Sequence, residues 1–146
     1  MTAWRRNSSR GCRQCGALDE LQWAASPMTP SGKVPSETQI RDHYRELAVD
    51  WSQAQGDPKA ANKLFRAHHA YYKSIRDLPE GRSAISGLVH DIDSAVRLLA
   101  ATHSLAWDRD GAIAALTELE RGGSLYAIDA EYTLKSYREG KLNLDW

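Results

Sequence analysis

Two cysteines near the start of the chain are the first residues whose spacing could support chemistry. Cys12 and Cys15 stand three positions apart, as in half of a zinc knuckle, because two thiolates at this spacing can share one tetrahedral ion. A complete site needs two more ligands, and the sequence has neither a second cysteine pair nor a nearby histidine. Redox-active pairs of this kind normally stand at a helix start in a βαβ unit, which the sequence does not predict. We interpret the pair as incidental; whether it binds a metal stays open.

Four histidines are the next candidates for a metal site. His68 and His69 are adjacent, and neighbouring residues on a helix point about 100 degrees apart, so the two imidazoles do not easily face one ion. His90 and His103 flank one predicted turn and could approach each other across it. Two imidazoles without a carboxylate in register are more often hydrogen-bonded helix residues. We therefore expect neither a metal nor another cofactor.

An acidic row marks the first predicted helix. Asp42, Glu46 and Asp50 recur every four residues, with Arg41 and Arg45 on an adjoining row. Like charges at this spacing repel by roughly a few tenths of a kcal/mol per pair, so a role in stability does not explain them. One interpretation is an ordinary solvated face, and the other is docking of a basic partner, where such charges mainly raise the association rate.

The sequence contains no motif typical of an enzyme. No glycine-rich phosphate loop follows a strand, no nucleophilic serine elbow occurs, and the body of the chain has no cysteine beside a base. The chain also lacks an apolar leader after Met1 and a run of 18 apolar residues, so we expect neither export nor a membrane association. A cytoplasmic, non-enzymatic protein is the resulting expectation.

A change of composition divides the chain. Residues 24–35 hold three prolines and a glycine without a period, which predicts a flexible basic extension over 1–35 and one helical domain over 36–146. The extension has five basic and two acidic residues, a net +3, whereas the domain has 14 and 17, a net −3. An acidic domain disfavours a nucleic-acid groove, which needs clustered cations, and favours a basic partner.

Six amphipathic helices and no strand are predicted, which makes the domain all-α. The first covers 37–53, because Ser36 and Gln39 form a capping box ahead of an apolar row of helical period. Tyr71 and Tyr72 are adjacent on the second helix, so we expect one of them to be exposed. Capping residues and helix breakers set the remaining limits. The second helix opens with Asp57 and Pro58 and stops at Pro79 and Gly81, and the third covers 81–90. The fourth is capped by Asp93, the fifth follows the turn from Asp108 to Gly111 and ends at Gly122, and the sixth covers 124–140.

A repeat relates the last four helices. Ala84, Ile85 and Leu88 recur as Ala115, Leu116 and Leu119, and Val96, Ala101 and Leu105 recur as Leu125, Ala130 and Leu134. The run DSAVRLLAA at 93–101 resembles a HEAT repeat, with its acidic turn, Val-Arg pair and Ala pair. Over 37–144, the order NKLF (62–65), PEGR (79–82), VR (96–97), AATH (100–103) and GKL (140–142) resembles a family of short bacterial HEAT-like proteins catalogued only as a domain of unknown function.

The resemblance implies a right-handed, solenoid-type stack of helical hairpins that binds another protein, and the family is linked to immunity proteins encoded beside secreted toxins. Such stacks usually dock partners on the second helix of each pair, which here places Arg97, Tyr126, Asp129 and Lys135 at the site. Arg97 is also predicted to form a forked contact with the turn carboxylates of Asp91 and Asp93, or with the carbonyl end of the third helix.

The function expected is thus a protein-binding adaptor, with an intracellular immunity or inhibitor protein as its more specific form. Its predicted partner-binding residues are Asp42, Glu46, Asp50, Arg97, Tyr126, Asp129 and Lys135. The alternative is a nucleic-acid enzyme of the alkylpurine glycosylase type, to which Trp107, Asp108 and Arg109 would contribute. Self-association into a homo-oligomer is left open.

Overall fold

Capping side chains set the start of most helices in the computed structural model, which describes residues 34–146. Ser36 Oγ accepts from the Gln39 N–H, and Gln39 Oε1 accepts from the Ser36 N–H, which completes the predicted capping box. Asp57, Asp93 and Asp108 each accept a hydrogen bond from a backbone N–H of the first helical turn that follows. These bonds satisfy N–H groups that have no partner inside a helix. The predicted N-caps Ser36, Asp57 and Asp93 are therefore confirmed, and Asp108 is a further N-cap that was not predicted from the sequence.

The described residues contain six α-helices, one short 3₁₀ helix and no strand, so the predicted all-α class is confirmed. The helices are α1 Glu37–Gln53, α2 Pro58–Ile75, α3 Pro79–Gly87, α4 Ser94–Ser104, α5 Arg109–Arg121 and α6 Ala127–Arg138, with the 3₁₀ helix at Leu88–His90. Cys12, Cys15 and nearly all of the predicted N-terminal extension lie outside the described residues.

Several predicted helix limits were wrong. The fifth helix starts at Arg109 and not after the predicted turn from Asp108 to Gly111. Pro79 and Gly81 do not stop the second helix; α2 ends at Ile75, and Pro79 opens α3, where its missing N–H has no intrahelical acceptor to lose. Gly81 is buried so close to the Ile75 carbonyl that a Cβ atom there would collide with it. The sixth helix starts at Ala127 and not at Ser124, because residues 124–126 form a turn.

Helix α1 packs against α2, α3 and α4, while α4 packs on α5, and α5 on α6. The core is continuous across these helices. Tyr71 and Tyr72 are only 4% and 1% exposed, so the expectation that one would be exposed was wrong. The reason is that α2 is covered on two sides: Tyr71 meets His43 of α1 edge-on, and Tyr72 stacks on His103 of α4.

Residues 140–146, here named the closing segment, return to α2 after Gly140, whose φ of +73° ends the last helix. Arg76 of α2 donates to the Leu144 carbonyl at 3.3 Å and forms an ion pair with Asp145. Lys73 donates to the backbone oxygen of Trp146 at 2.7 Å. Among the helices of residues 34–146, none has both the length and the apolar character needed to cross a bilayer.

Candidate functional site

The predicted acidic row is present and exposed on α1. Asp42, Glu46 and Asp50, here named the acidic face, line a shallow groove of about 360 Å³ together with Arg45 and Val49. Arg45 is the basic residue among those that line the groove, and its guanidinium already pairs with Asp91. The three carboxylates face solvent; Glu46 lies 3.9 Å from His43 Nδ1 on the same helix, and the charge of Asp42 acts on Arg45.

Arg45 connects the acidic face to the turn before α4. Its Nε lies 2.8 Å from Asp91 Oδ2, and its Nη2 lies 3.2 Å from Asp91 Oδ1, a two-pronged geometry that a lysine does not reproduce. Burial alone would raise the pKa of Asp91, but hydrogen bonds from Arg45 and from the Asp93 N–H outweigh it and hold that pKa below its usual value. Asp91 is thus kept ionised at the junction between α1 and α4.

The predicted fork of Arg97 onto the turn carboxylates was wrong. Asp91 is taken by Arg45 from α1, and Asp93 Oδ1 already accepts from the N–H groups of Ala95 and Val96. Arg97 instead donates from Nη2 to Ser94 Oγ at 3.3 Å, and its buried Nε has no hydrogen-bond partner. Its charge still helps to lower the pKa of Asp91.

The predicted residues on the last helix divide between core and surface. Tyr126 is only 7% exposed, and its ring centroid lies 5.7 Å from that of Trp51. It therefore packs inside the fold and offers little surface to a partner. Burial, and after it the charges of Asp93 and Asp129, raises the pKa of Tyr126. Asp129 and Lys135 are exposed on α6.

Sequence reasoning missed an exposed apolar row beside these residues. Leu125, Ile128 and Tyr132, here named the α6 row, are 82%, 78% and 70% exposed. Ile128 and Tyr132, four residues apart, share one face of α6, which is separate from the buried face with Ala130 and Leu134. Leu125 lies in the turn just before the helix and is exposed, although the predicted repeat matches it with the buried Val96. The spacing of Leu125, Ile128 and Tyr132 is visible in the sequence, but the prediction considered only the apolar residues that pack inward.

Three histidines lie together inside the fold. His68, His69 and His103 are buried, and the ring centroid of His103 lies 5.6 Å from that of His68 and 5.7 Å from that of His69. His103 Nδ1 is 2.7 Å from the Tyr44 hydroxyl, and its ring stacks on Tyr72 at 3.7 Å. The hydrogen-bonded role expected for the histidines is thus confirmed for His103, while His90, exposed on the 3₁₀ helix, is not part of this group.

Burial keeps these imidazoles neutral. It lowers the pKa of His68 to about 3, with the neighbouring histidines as a smaller cause. It lowers the pKa of His69 to about 4, aided by Lys73 and Arg76, and lowers that of His103 well below its ordinary value. No group of three or more His, Cys, Asp or Glu residues within 34–146 is placed to hold a metal ion.

A cavity of about 340 Å³ opens beside this histidine group, between α2, α4, α6 and the closing segment. Its walls are mostly aromatic and aliphatic, and its polar lining includes His69, Thr102 and Asp129. The remaining lining residues are Trp51, Phe65, Leu98, Leu99, His103, Tyr132, Thr133, Leu142, Asn143, Leu144 and Trp146. A concave, mainly apolar site with a few polar groups is the usual form of a small-molecule site.

The residues named for the nucleic-acid alternative have structural contacts. Trp107 Nε1 donates to Ser86 Oγ at 2.9 Å, and the Arg82 guanidinium lies 5.5 Å from the centre of the Trp107 ring. Asp108 caps α5 through the Gly111 N–H, and Arg109 is exposed at the start of that helix. Comparison of the chain with protein-family models, curated proteins and solved structures gives no match.

Proposed function

We propose that the chain is a HEAT-like helical protein without enzymatic activity that binds a basic protein partner through the acidic face and the α6 row. The observation that carries the proposal is the exposure of three carboxylates on α1 and of three large apolar side chains, two on α6 and one in the turn before it. Exposed apolar groups beside charged ones are typical of protein interfaces, in which buried aromatic or aliphatic anchors supply most of the affinity.

The fold supports a single docking surface that spans both features. Trp51 follows Asp50 directly on α1 and packs on Tyr126, which immediately precedes α6. Tyr126 also feels the charges of Asp93 and Asp129, so the carboxylates of the turn and of α6 lie near this junction. A partner bound at the end of α1 is therefore close to the start of α6.

The HEAT-like part of the proposal rests on packing between successive helices. Helices α3, α4, α5 and α6 each contact the next one along the chain. Ala101 and Ala130, the small residues at equivalent positions of the repeat, are fully buried, which lets their helices approach closely. A role as an immunity or inhibitor protein against a basic toxin agrees with the acidic docking surface and belongs to the same proposal.

The test is native co-purification from source cells with the full chain, followed by binding measurements on the purified partner. We expect a basic protein to be retained at stoichiometric level by the wild-type chain and to bind the Glu46→Gln/Asp50→Asn variant about three- to tenfold more weakly at low salt. The difference should shrink as salt is added, because exposed charges are screened.

The matched control is Glu118→Gln/Glu120→Gln, which removes two exposed carboxylates from α5. It should bind like the wild-type chain. Equal retention of every partner by both double variants would refute the docking surface. If only Ile128→Ser abolishes binding of the partner, the α6 row remains part of the proposed surface and the acidic face does not.

A further inference from the structure

The closing segment places an aromatic ring at the cavity, whose lining shares Tyr132 with the α6 row but not the carboxylates of the acidic face. The Trp146 ring stacks on His69, with 3.8 Å between ring centroids and 5° between planes, and on Phe65 at 5.6 Å and 14°. Trp146 is nevertheless 48% exposed, so this ring is held at the rim and not sealed into the core. The stack shows that the face of His69 accepts a flat aromatic group.

Beneath that ring one atom of a buried polar group lacks a partner. His69 lines the cavity and is 3% exposed, and its Nε2 atom makes no hydrogen bond, while a hydrogen bond between the imidazole and the Trp146 backbone opposes part of the lowering of its pKa. A buried polar atom left without a partner is unfavourable. Burial, with Lys73 and Arg76 nearby, lowers the pKa of His69 to about 4, so the imidazole is neutral near pH 7 and its Nε2 can donate or accept, according to tautomer.

Two cations of α2, Lys73 and Arg76, hold the closing segment, and both lie close enough to His69 to lower its pKa, although neither lines the cavity. Lys73 donates to the backbone oxygen of Trp146 at 2.7 Å, and Arg76 holds Asp145 and the Leu144 carbonyl. Both bind oxygen atoms of the closing segment, so both become available if that segment moves away. A cavity of about 340 Å³ lies at the lower end of the roughly 300–1,000 Å³ found for small-molecule sites.

We propose that this cavity binds a small planar aromatic carboxylic acid, which replaces the Trp146 ring between His69 and Phe65 and places its carboxylate on Lys73 and Arg76. The aromatic part of the ligand takes the stacking position that Trp146 shows to be suitable. The carboxylate of the ligand pairs with Lys73 and Arg76, which in this structure bind oxygen atoms of the closing segment. His69 Nε2 becomes accessible to a polar substituent on the ring.

Calorimetric titration of the full chain with 2-naphthoate tests the site, with neutral 2-naphthol and non-planar cyclohexanecarboxylate as comparison probes. We expect 2-naphthoate to bind more tightly than either probe. Trp146→Ala should bind it about fivefold more tightly than the wild-type chain, because the competing ring is gone. In the Trp146→Ala background, Lys73→Met should weaken 2-naphthoate about three- to tenfold and leave 2-naphthol unchanged, because only the acid uses the ammonium group.

Lys59→Met is the matched control, since Lys59 is an exposed lysine in the first turn of the same helix, and it should not alter binding. A second readout does not depend on any variant remaining folded: saturating 2-naphthoate should shift the Trp146 indole N–H resonance of the wild-type chain. Absence of binding at millimolar concentration overturns the proposal. Binding that leaves the Trp146 resonance in place, or that Lys73→Met does not weaken, overturns it as well.

Discussion

Acidification should begin to destabilise this protein before most of its carboxylates are protonated, because neutral histidines are enclosed in its core. An unfolded histidine titrates near pH 6.5, whereas His68 and His69 of the folded chain have pKa values of about 3 and about 4. Below pH 6.5 the unfolded chain therefore binds protons that the folded chain does not bind at these two positions. The free energy of unfolding must fall as the pH falls through this window.

The size of the loss follows from the two pKa values. Each pH unit below 6.5 corresponds to about 1.4 kcal/mol for each histidine that stays neutral only in the folded chain. Two pH units give about 2.7 kcal/mol for one histidine and about 5 kcal/mol for both. His103, whose pKa is lowered in the same direction, adds to this loss. Domains of this size are stable by about 5–15 kcal/mol, so a large part of the stability is removed by about pH 4.5.

Urea unfolding followed by circular dichroism at several pH values between about 7.5 and 4.5 measures this directly. The slope near pH 5.5 should approach about 2.5 kcal/mol per pH unit from His68 and His69. Asp91 acts in the same sense, because its pKa is held below the ordinary value in the folded chain, but its contribution is lost only below about pH 4, where the unfolded carboxyl takes up a proton. His68→Leu should reduce the slope by about 1.2 kcal/mol per pH unit, and His90→Gln on the exposed 3₁₀ helix should retain it. A free energy of unfolding that is equal at pH 7.5 and pH 5 would refute the reasoning.

Two further predictions concern close contacts in the core. Gly81→Ala should lower the free energy of unfolding by about 1–3 kcal/mol, because the added Cβ collides with the Ile75 carbonyl. Gly87→Ala is the control and should not lower it, since nothing lies within 4 Å of the new Cβ. Thermal melts of the two variants measure the difference. Tyr44→Phe should cost about 1–3 kcal/mol by leaving His103 Nδ1 buried without its hydroxyl partner, and an unchanged melting temperature would contradict the importance of that bond.

The helix limits that depend on local chemistry could be predicted from the sequence. The start of α1 follows from Ser36 and Gln39, and the start of α4 follows from Asp93, because capping bonds join residues two or three positions apart. The end of α2 could not be predicted in this way. Pro79 and Gly81 suit both a helix end and a helix start, and only the packing of Gly81 on Ile75 distinguishes the two.

The candidate site was predictable only in part, for a similar reason. The acidic face is a pattern within one helix, so its spacing was enough to find it. The cavity needs the closing segment to return to α2, a contact between residues about 70 positions apart that no local pattern encodes. The burial of both Tyr71 and Tyr72 likewise depends on neighbours at two sides of α2, which the sequence does not specify.

The enclosure of α2 has a consequence for how this protein tolerates change. Over residues 68–75, His68, His69, Tyr71, Tyr72 and Ile75 are all buried, so side chains point into packed surroundings from most of the circumference of the helix. Nearly every replacement there must refill a space of defined shape and polarity. Sequence drift in a lineage of such proteins should therefore spare this stretch, while the outer positions of α5 and α6 diverge freely.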